Sequence, residues 1–165
     1  MLKLRDYQAS DASRLLELAN NQNVSRYLIY TFPFPYTRKD ADWWIEVGAH
    51  QQGAQTKVIE YQGAFVGSVG INPQIGWRSH IAEIGYWIGE EFWGQGLASE
   101  ALRQMTELSF SQPAFNKLIA PVLGPNQASM KVLEKNGYAL ESVLKNEVVK
   151  NGQTYDHYVY TKHRS

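Results

Sequence analysis

The segment from Trp93 to Ala98, with the sequence WGQGLA, is the part of the chain best suited to chemistry. It follows a predicted strand and opens a predicted helix, and its two glycines keep side chains out of the turn. Such a junction directs free backbone N–H groups and the positive end of a helix at one point, an arrangement that binds anions. Glycine suits the turn because a phosphate must approach the main chain closely. The segment therefore predicts a phosphate cradle, although glycines also occur in ordinary tight turns.

Two other glycine-rich phosphate loops fit this segment less well. A Walker loop requires Gly-Lys-Ser/Thr, and Gln95-Gly96-Leu97 contains no lysine. A dinucleotide-binding turn would place its third glycine where Ser99 stands, and it requires strands that alternate regularly with helices. Both alternatives are rejected.

The elements around the cradle follow from hydrophobic spacing and turn residues. Ser10 and Asp11 offer caps for a first helix, and Thr37 with Asp40 predicts a capping box. Gln62-Gly63 and Asn151-Gly152 predict the turns of two hairpins. The helix after the cradle is expected to bury one face, formed by Leu97, Ala101, Leu102, Met105 and Leu108. The pattern indicates one α/β domain with a largely antiparallel sheet.

Two motifs resemble those of a known superfamily. The segment AEIGYWIGEEFWGQGLASEAL is similar to the acyl-CoA signature of the GNAT acetyltransferases, with Trp93 where Arg or Gln is usual. The later NQASMKVLEKNGY resembles the second cofactor segment of that superfamily. Both ends of the chain resemble the RimJ/RimL-like subgroup, the ribosomal-protein N-terminal acetyltransferases, so the resemblance covers nearly the whole sequence.

The resemblance implies a fold and a cofactor site. The expected fold is one α/β (α+β) GNAT domain over residues 1–165, with about four helices and a mixed, mostly antiparallel sheet of about seven strands splayed in the middle. Acetyl-CoA would be the cosubstrate, its pantetheine lying between two parting strands. The residues expected to bind it are Trp87, Ile88 and Gly89 for the pantetheine, Gln95, Gly96, Leu97, Ala98 and Ser99 for the pyrophosphate, and Asn126 and Ser129 near the thioester.

Direct transfer requires a deprotonated amine and a stabilised leaving thiolate. Glu83 is the candidate general base, since many GNAT enzymes carry a glutamate on this strand; alternatively it faces solvent. Ser129 is the candidate donor to the sulfur, or its hydroxyl bonds within its own helix. Leu133 stands where many relatives have tyrosine, and Tyr138 is a weaker candidate.

Aromatic residues mark the expected acceptor end of the site. By the resemblance, Tyr30, Phe32, Tyr36 and Trp77 border the acceptor entrance, although they could equally pack a lid onto the core. The segment 27–36 contains no carboxylate, which argues against a polyamine acceptor. The predicted function is acetyl transfer from acetyl-CoA to an amine, foremost a protein N-terminal α-amine. The alternatives are a small-molecule amine or a non-catalytic acyl-CoA sensor.

The composition excludes several other classes of function. The 165 residues include 16 basic and 16 acidic side chains without a run of like charge, which disfavours nucleic-acid and membrane partners. The chain lacks cysteine, so a thiol nucleophile is excluded, and its four histidines form no metal-ligand pattern. Without a signal segment, a cytoplasmic location is expected, and a homodimer is left open.

Overall fold

The computed structural model describes residues 1–29 and 31–165, and its centre is one seven-stranded sheet. The order across the sheet is β1-β2-β3-β4-β5-β7-β6, and only the β4–β5 pair is parallel. The strands are β1 (Leu2–Arg5), β2 (Gln55–Tyr61), β3 (Ala64–Pro73), β4 (Ile81–Ile88), β5 (Lys117–Leu123), β6 (Ala139–Lys150) and β7 (Gln153–His163). The predicted sheet, mixed and mostly antiparallel, is confirmed.

Five α-helices are found in the described part of the chain. They are α1 (Ala12–Ala19), α2 (Gln22–Ser25), α3 (Arg38–Glu46), α4 (Leu97–Phe110) and α5 (Gln127–Lys135). The predicted capping box starts α3: the Thr37 hydroxyl accepts from the Asp40 N–H at 3.2 Å, and the Asp40 carboxylate accepts from the Thr37 N–H at 2.8 Å. Asp11 occupies the expected N-cap position of α1, but its carboxylate does not cap the helix, because it accepts from Arg5 at 2.8 and 2.9 Å and from the Gln8 N–H at 2.7 Å.

Both predicted hairpin turns are confirmed, and their backbone explains the residues in them. Gln62 and Gly63 have φ angles of 51° and 79°, and Asn151 and Gly152 have φ angles of 51° and 77°. Two consecutive left-handed residues match the right-handed twist of the strands that they join, and glycine adopts that conformation without strain.

The sheet divides in the middle of the chain. β4 pairs with β5 only from Ile81 to Glu83, opposite Lys117 to Ile119. Beyond these positions β4 continues to Ile88 and β5 to Leu123, and no further pairs join the two strands. The gap between them is the expected opening of the sheet.

Each face of the sheet is covered by a different set of helices. On one face α4 and α5 cover a core that includes Leu102, Met105, Leu118 and Leu133, all of which are completely buried. On the other face α1 and α3 cover a smaller core around Leu15. The apolar stripe of α4 is one residue shorter than predicted, because Leu108 is 39% exposed.

The difference between Leu102 and Leu108 gives a matched pair for a stability measurement. Leu102→Ala is expected to lower the free energy of unfolding by about 2–5 kcal/mol, because a buried leucine leaves a cavity. Leu108→Ala, in the same helix, should cost less than about 1 kcal/mol, because much of the side chain is already in water. Urea unfolding followed by circular dichroism measures both. Equal losses would contradict the assigned orientation of α4.

Candidate active site

Two clefts meet beside the end of β4. The first, called here the helix-side cleft, has a volume of about 540 Å³ and lies between the end of β4, the start of α4, α5 and the loop after α2. The second, called the aromatic cleft, has a volume of about 490 Å³ and lies on the face covered by α1 and α3. Leu28, Tyr86 and Trp87 line both clefts, so the two clefts are neighbours around these residues.

The glycine-rich turn carries free backbone donors into the helix-side cleft. Gly94 and Gly96 both have a φ angle of 76°, and Gly96 directly precedes α4. Within the described residues, the N–H groups from Gly94 to Ser99 have no hydrogen-bond acceptor, and no side chain caps the helix. A Cβ atom on either glycine would meet nothing within 4 Å, so the space beside them is open. This geometry is suited to an anion with several oxygens.

Most of the predicted cradle residues line the helix-side cleft. Gly96, Leu97, Ala98 and Ser99 contribute to its wall, whereas the Gln95 side chain is exposed and does not. The Ser99 hydroxyl accepts a hydrogen bond from the Asn136 amide at 3.0 Å.

Three basic residues that the sequence analysis missed also line the cleft. Lys131 and Lys135 lie one turn apart on α5, and Arg26 follows α2. The spacing of four residues between Lys131 and Lys135 was visible in the sequence, but this spacing does not show which way the helix faces. Together they add positive charge beside the free amides, which favours a polyanionic ligand.

The strand β4 presents fewer free backbone groups than predicted. The Gly89 N–H donates to the Val66 carbonyl at 2.8 Å, so Gly89 bonds to β3. Because alternate residues of a strand bond in the same direction, Trp87 also bonds to β3, and the backbone groups of Tyr86 and Ile88 face the gap. The expectation that the main chain of Trp87 and Gly89 holds a ligand is therefore wrong. Trp87 lines both clefts, and Gly89 is buried against Leu18.

Trp93, the residue that departs from the family motif, connects the strand to the cradle. Its indole Nε1 donates to the Ile88 carbonyl at 2.8 Å. Ile88 is left with its N–H as the free donor toward the gap. The indole thus fixes the turn and reduces by one the acceptors available to a ligand.

The start of α5 faces β4 across the helix-side cleft. The Asn126 side chain caps the helix by accepting from the Ser129 N–H at 3.3 Å. The Ser129 hydroxyl lies 2.7 Å from the hydroxyl of Tyr86, a residue that the sequence analysis missed. Burial raises the pKa of Tyr86 to about 12, and the hydrogen bond with Ser129 offsets part of that rise. Leu133 and Tyr138 are buried in the core and line neither cleft.

Glu83 is the last residue of β4 that pairs with β5. Because side chains alternate along a strand, Glu83 lies on the same face of β4 as Gly85 and Trp87. It is paired with Asn72 of β3, which lines the aromatic cleft. Burial raises its pKa, and the positive charge of Arg78 opposes that rise. Glu83 is therefore a half-buried carboxyl at the edge of the aromatic cleft, although it is not part of the cleft wall.

Aromatic rings form the wall of the second cleft. Phe32 packs on Tyr36, with ring centroids 5.4 Å apart, and meets the edge of Trp87 at 5.8 Å. Gly70 and Gly85, which are paired across β3 and β4, leave the floor free of side chains. Of the other predicted acceptor residues, Tyr30 lies outside the described residues. Trp77 is 99% exposed and lines neither cleft, so the structure does not bring it to the site.

The C-terminal hairpin holds the segment around Leu28 in place. The Lys150 ammonium, at the end of β6, donates to the carbonyls of Ser25 and Leu28, each at 2.5 Å. Burial lowers its pKa. This contact joins the hairpin to Leu28, which lines both clefts.

Comparisons with known proteins agree on the family. The model of the acetyltransferase (GNAT) domain matches residues 1–139. The chain belongs to the GNAT acetyltransferase family. It is 29% identical to the uncharacterized N-acetyltransferase YoaA of Bacillus subtilis (strain 168), over 97% of this chain and 92% of that protein. It is 28% identical to spermidine N(1)-acetyltransferase of Escherichia coli (strain K12), over 92% and 80%.

A solved structure of RimL, a ribosomal L7/L12 alpha-N-protein acetyltransferase in complex with coenzyme A, superimposes with a TM-score of 0.87. It is 25% identical and covers 98% of this chain and 93% of that one. The chain is therefore an acyl-CoA-dependent N-acetyltransferase that uses acetyl-CoA and acts on an amine, and the GNAT fold is confirmed. The named acceptors of its relatives differ, from spermidine to a ribosomal protein.

The helix-side cleft of this GNAT domain fits the cofactor that the family uses. Free amides from Gly94 to Ser99 and three basic side chains suit phosphates, and the gap beside Ile88 suits an extended amide chain. Among residues 1–29 and 31–165, no three His, Asp or Glu side chains come close enough to hold a metal ion. None of the helices in these ranges has the length and apolar character needed to cross a membrane.

Gly96 allows the cradle to be tested with a matched control. Gly96→Glu is expected to weaken acetyl-CoA binding by about 100-fold or more, because a carboxylate would repel the phosphates at the free amides. Gly63→Glu places the same side chain at a φ angle of 79°, also with nothing within 4 Å, in the β2–β3 turn away from both clefts. That control should bind as the wild type does. Calorimetry measures both, and unchanged affinity in Gly96→Glu would show that the cradle lies elsewhere.

Proposed function

We propose that this enzyme acetylates the N-terminal α-amine of a protein or peptide. The observation that carries the proposal is the aromatic cleft, which is nearly uncharged and meets the helix-side cleft at Tyr86 and Trp87. An acyl thioester held in one cleft would then lie beside an amine entering from the other. Such proximity is a large part of the catalysis of a two-substrate reaction.

The proposed cofactor site follows the helix-side cleft. Phosphates bind the amides of Gln95, Gly96 and Leu97, supported by Ala98 and Ser99 and by the basic side chains of the cleft. Acetyl-CoA supplies an activated acyl thioester. The Ile88 N–H bonds the pantetheine, and Asn126 and Ser129 lie near the thioester end. The free amides and their position on the cleft wall support this assignment.

The charges of the aromatic cleft favour an N-terminal amine over other acceptors. Among the described lining residues, Asp40 is the single charged side chain, and its carboxylate is already engaged by Thr37 at 2.8 Å. A polyamine would need several free carboxylates, and a free amino acid would need a cation for its own carboxylate. A peptide presents one amine and a neutral backbone. The rings of Phe32, Tyr36 and Trp87 suit its first side chains.

The acid–base properties of an N-terminal amine also suit the site. An α-amine has a pKa near 8, whereas a lysine amine has a pKa of about 10.4, so the α-amine loses its proton far more readily at neutral pH. Glu83 is proposed as the general base, acting directly or through water. Its half-burial, its raised pKa and its position at the cleft edge support this role.

One alternative acceptor fits the same cleft. A small apolar amine would also satisfy an uncharged aromatic cleft. The predicted sensor that binds acyl-CoA without turnover disagrees with membership of the acetyltransferase family, and the buried Leu133 is the one feature in its favour. The cytoplasmic location and a homodimer stay predictions.

The test compares acceptors under identical conditions. The protein is incubated with isotope-labelled acetyl-CoA and, separately, an apolar peptide with a free N-terminus, the same peptide with a blocked N-terminus, spermidine and free phenylalanine. Mass spectrometry detects the product, and a thiol reagent follows CoA release. We expect transfer to the free peptide alone. Transfer to spermidine or phenylalanine in preference to the peptide would contradict the proposed acceptor, and binding without release would favour the sensor.

The pH dependence of the rate tests Glu83. Glu83 must be ionised to accept a proton, and the amine must be deprotonated to attack. As the pH drops below both pKa values, kcat/KM should therefore decrease with a two-proton dependence on pH. Glu83→Gln is expected to lower kcat by roughly 100-fold or more and to leave a one-proton dependence, with acetyl-CoA binding retained. The control is Glu107→Gln, an exposed carboxylate on α4. A wild-type pH profile in Glu83→Gln would remove the base assignment.

A further inference from the structure

Tyr86 and Ser129 place two hydroxyl groups in contact within the helix-side cleft. Tyr86 extends from the unpaired part of β4, lines both clefts, and lies 2.7 Å from the Ser129 hydroxyl across the helix-side cleft. The Tyr86 hydroxyl is also 3.3 Å from the Ser129 carbonyl. The serine is fixed from a second side, since its N–H donates to Asn126 at 3.3 Å.

The number of protons limits what this pair can do. Each hydroxyl has one proton, so only one of the two can donate along the short contact. If Ser129 donates to Tyr86, the tyrosine proton points to the Ser129 carbonyl. If Tyr86 donates to Ser129, the serine proton is free to point into the cleft. A ligand acceptor beside Ser129 would select the second arrangement.

We propose that Tyr86 is a positioning residue whose hydroxyl donates a hydrogen bond to the Ser129 oxygen and so turns the Ser129 O–H toward the sulfur of the departing thiolate. This inference rests on the proposed function, in which Ser129 lies near the thioester. Leu133 on α5 has no group that can donate a hydrogen bond to the sulfur. The inference gives part of that task to Tyr86 on β4.

The step is balanced without further reactants. The amine nitrogen forms a bond to the acyl carbon, the carbon–sulfur bond breaks, and the sulfur keeps its electron pair. The Ser129 O–H stabilises that charge by one hydrogen bond, and the amine proton goes to the base. The thiolate later takes a proton from water, and the base returns its proton to the hydroxide that is left. Tyr86 keeps its own proton throughout. Its pKa of about 12, raised by burial, is consistent with a donor that does not ionise at neutral pH.

A second tyrosine provides a matched control. The Tyr138 hydroxyl lies 2.7 Å from the Thr106 hydroxyl, and both residues are buried in the core away from the clefts. Tyr86→Phe and Tyr138→Phe each remove one hydroxyl from a similar contact. Both should have a similar effect on thermal stability, and only the first should change the rate of acetyl transfer.

The experiment measures single-turnover rates with the peptide that the wild type acetylates fastest. Tyr86→Phe is expected to slow transfer about tenfold at an unchanged KM for acetyl-CoA, as for a lost hydrogen bond to a developing charge. In the Ser129→Ala background, Tyr86→Phe should have no further effect. The selenoester analogue of acetyl-CoA has a selenolate that leaves readily without a hydrogen-bond donor. With this analogue, Tyr86→Phe should transfer the acetyl group at nearly the wild-type rate.

The possible results separate the inference from the proposed function. A wild-type rate in Tyr86→Phe, or the same loss with and without Ser129, would overturn the positioning role alone. An undiminished loss with the selenoester would also overturn it. If the wild type binds acetyl-CoA but transfers the acetyl group to no amine, the proposed function fails and the inference fails with it.

Discussion

The end of pairing between β4 and β5 at Glu83 is the constraint on which the site depends. A buried strand must satisfy its backbone groups, and a gap in the sheet leaves donors and acceptors for a ligand to satisfy. Here the backbone groups of Tyr86 and Ile88 face that gap, because the residues between and beyond them bond to β3. An extended chain of amides can therefore enter as an additional strand, which is a general mode of recognition.

The glycine-rich turn likewise leaves free backbone N–H groups at the start of α4. The first N–H groups of a helix have no partner within the helix, and here no side chain caps them. Left-handed glycines at positions 94 and 96 keep the approach open, and the Trp93 indole fixes the turn to the Ile88 carbonyl. Lys131, Lys135 and Arg26 add positive charge to the wall of the same cleft. The end of the strand and the glycine-rich turn thus line one continuous cleft.

Much of the fold could be predicted from local patterns. The turns at Gln62-Gly63 and Asn151-Gly152, the capping box at Thr37 and the glycine-rich junction each depend on residues close in sequence. The direction of the β4 backbone groups could not be predicted from the sequence, because it depends on the register with β3. The prediction that Trp77 borders the acceptor entrance was wrong, because its loop projects into solvent. Tyr86 was missed because its role depends on Ser129, 43 residues away along the chain.

The most direct measurement of the central claim is an amide chemical-shift titration with acetyl-CoA. The Gly96 and Leu97 N–H groups, which have no protein acceptor in the described structure, and the Ile88 N–H, which the register with β3 directs toward the gap, should shift strongly toward hydrogen-bonded values. The Gly89 N–H, already bonded to Val66, should change little. Saturating binding with unmoved signals from Ile88 and Gly96 would contradict the account, because the cofactor would then occupy neither the gap nor the cradle.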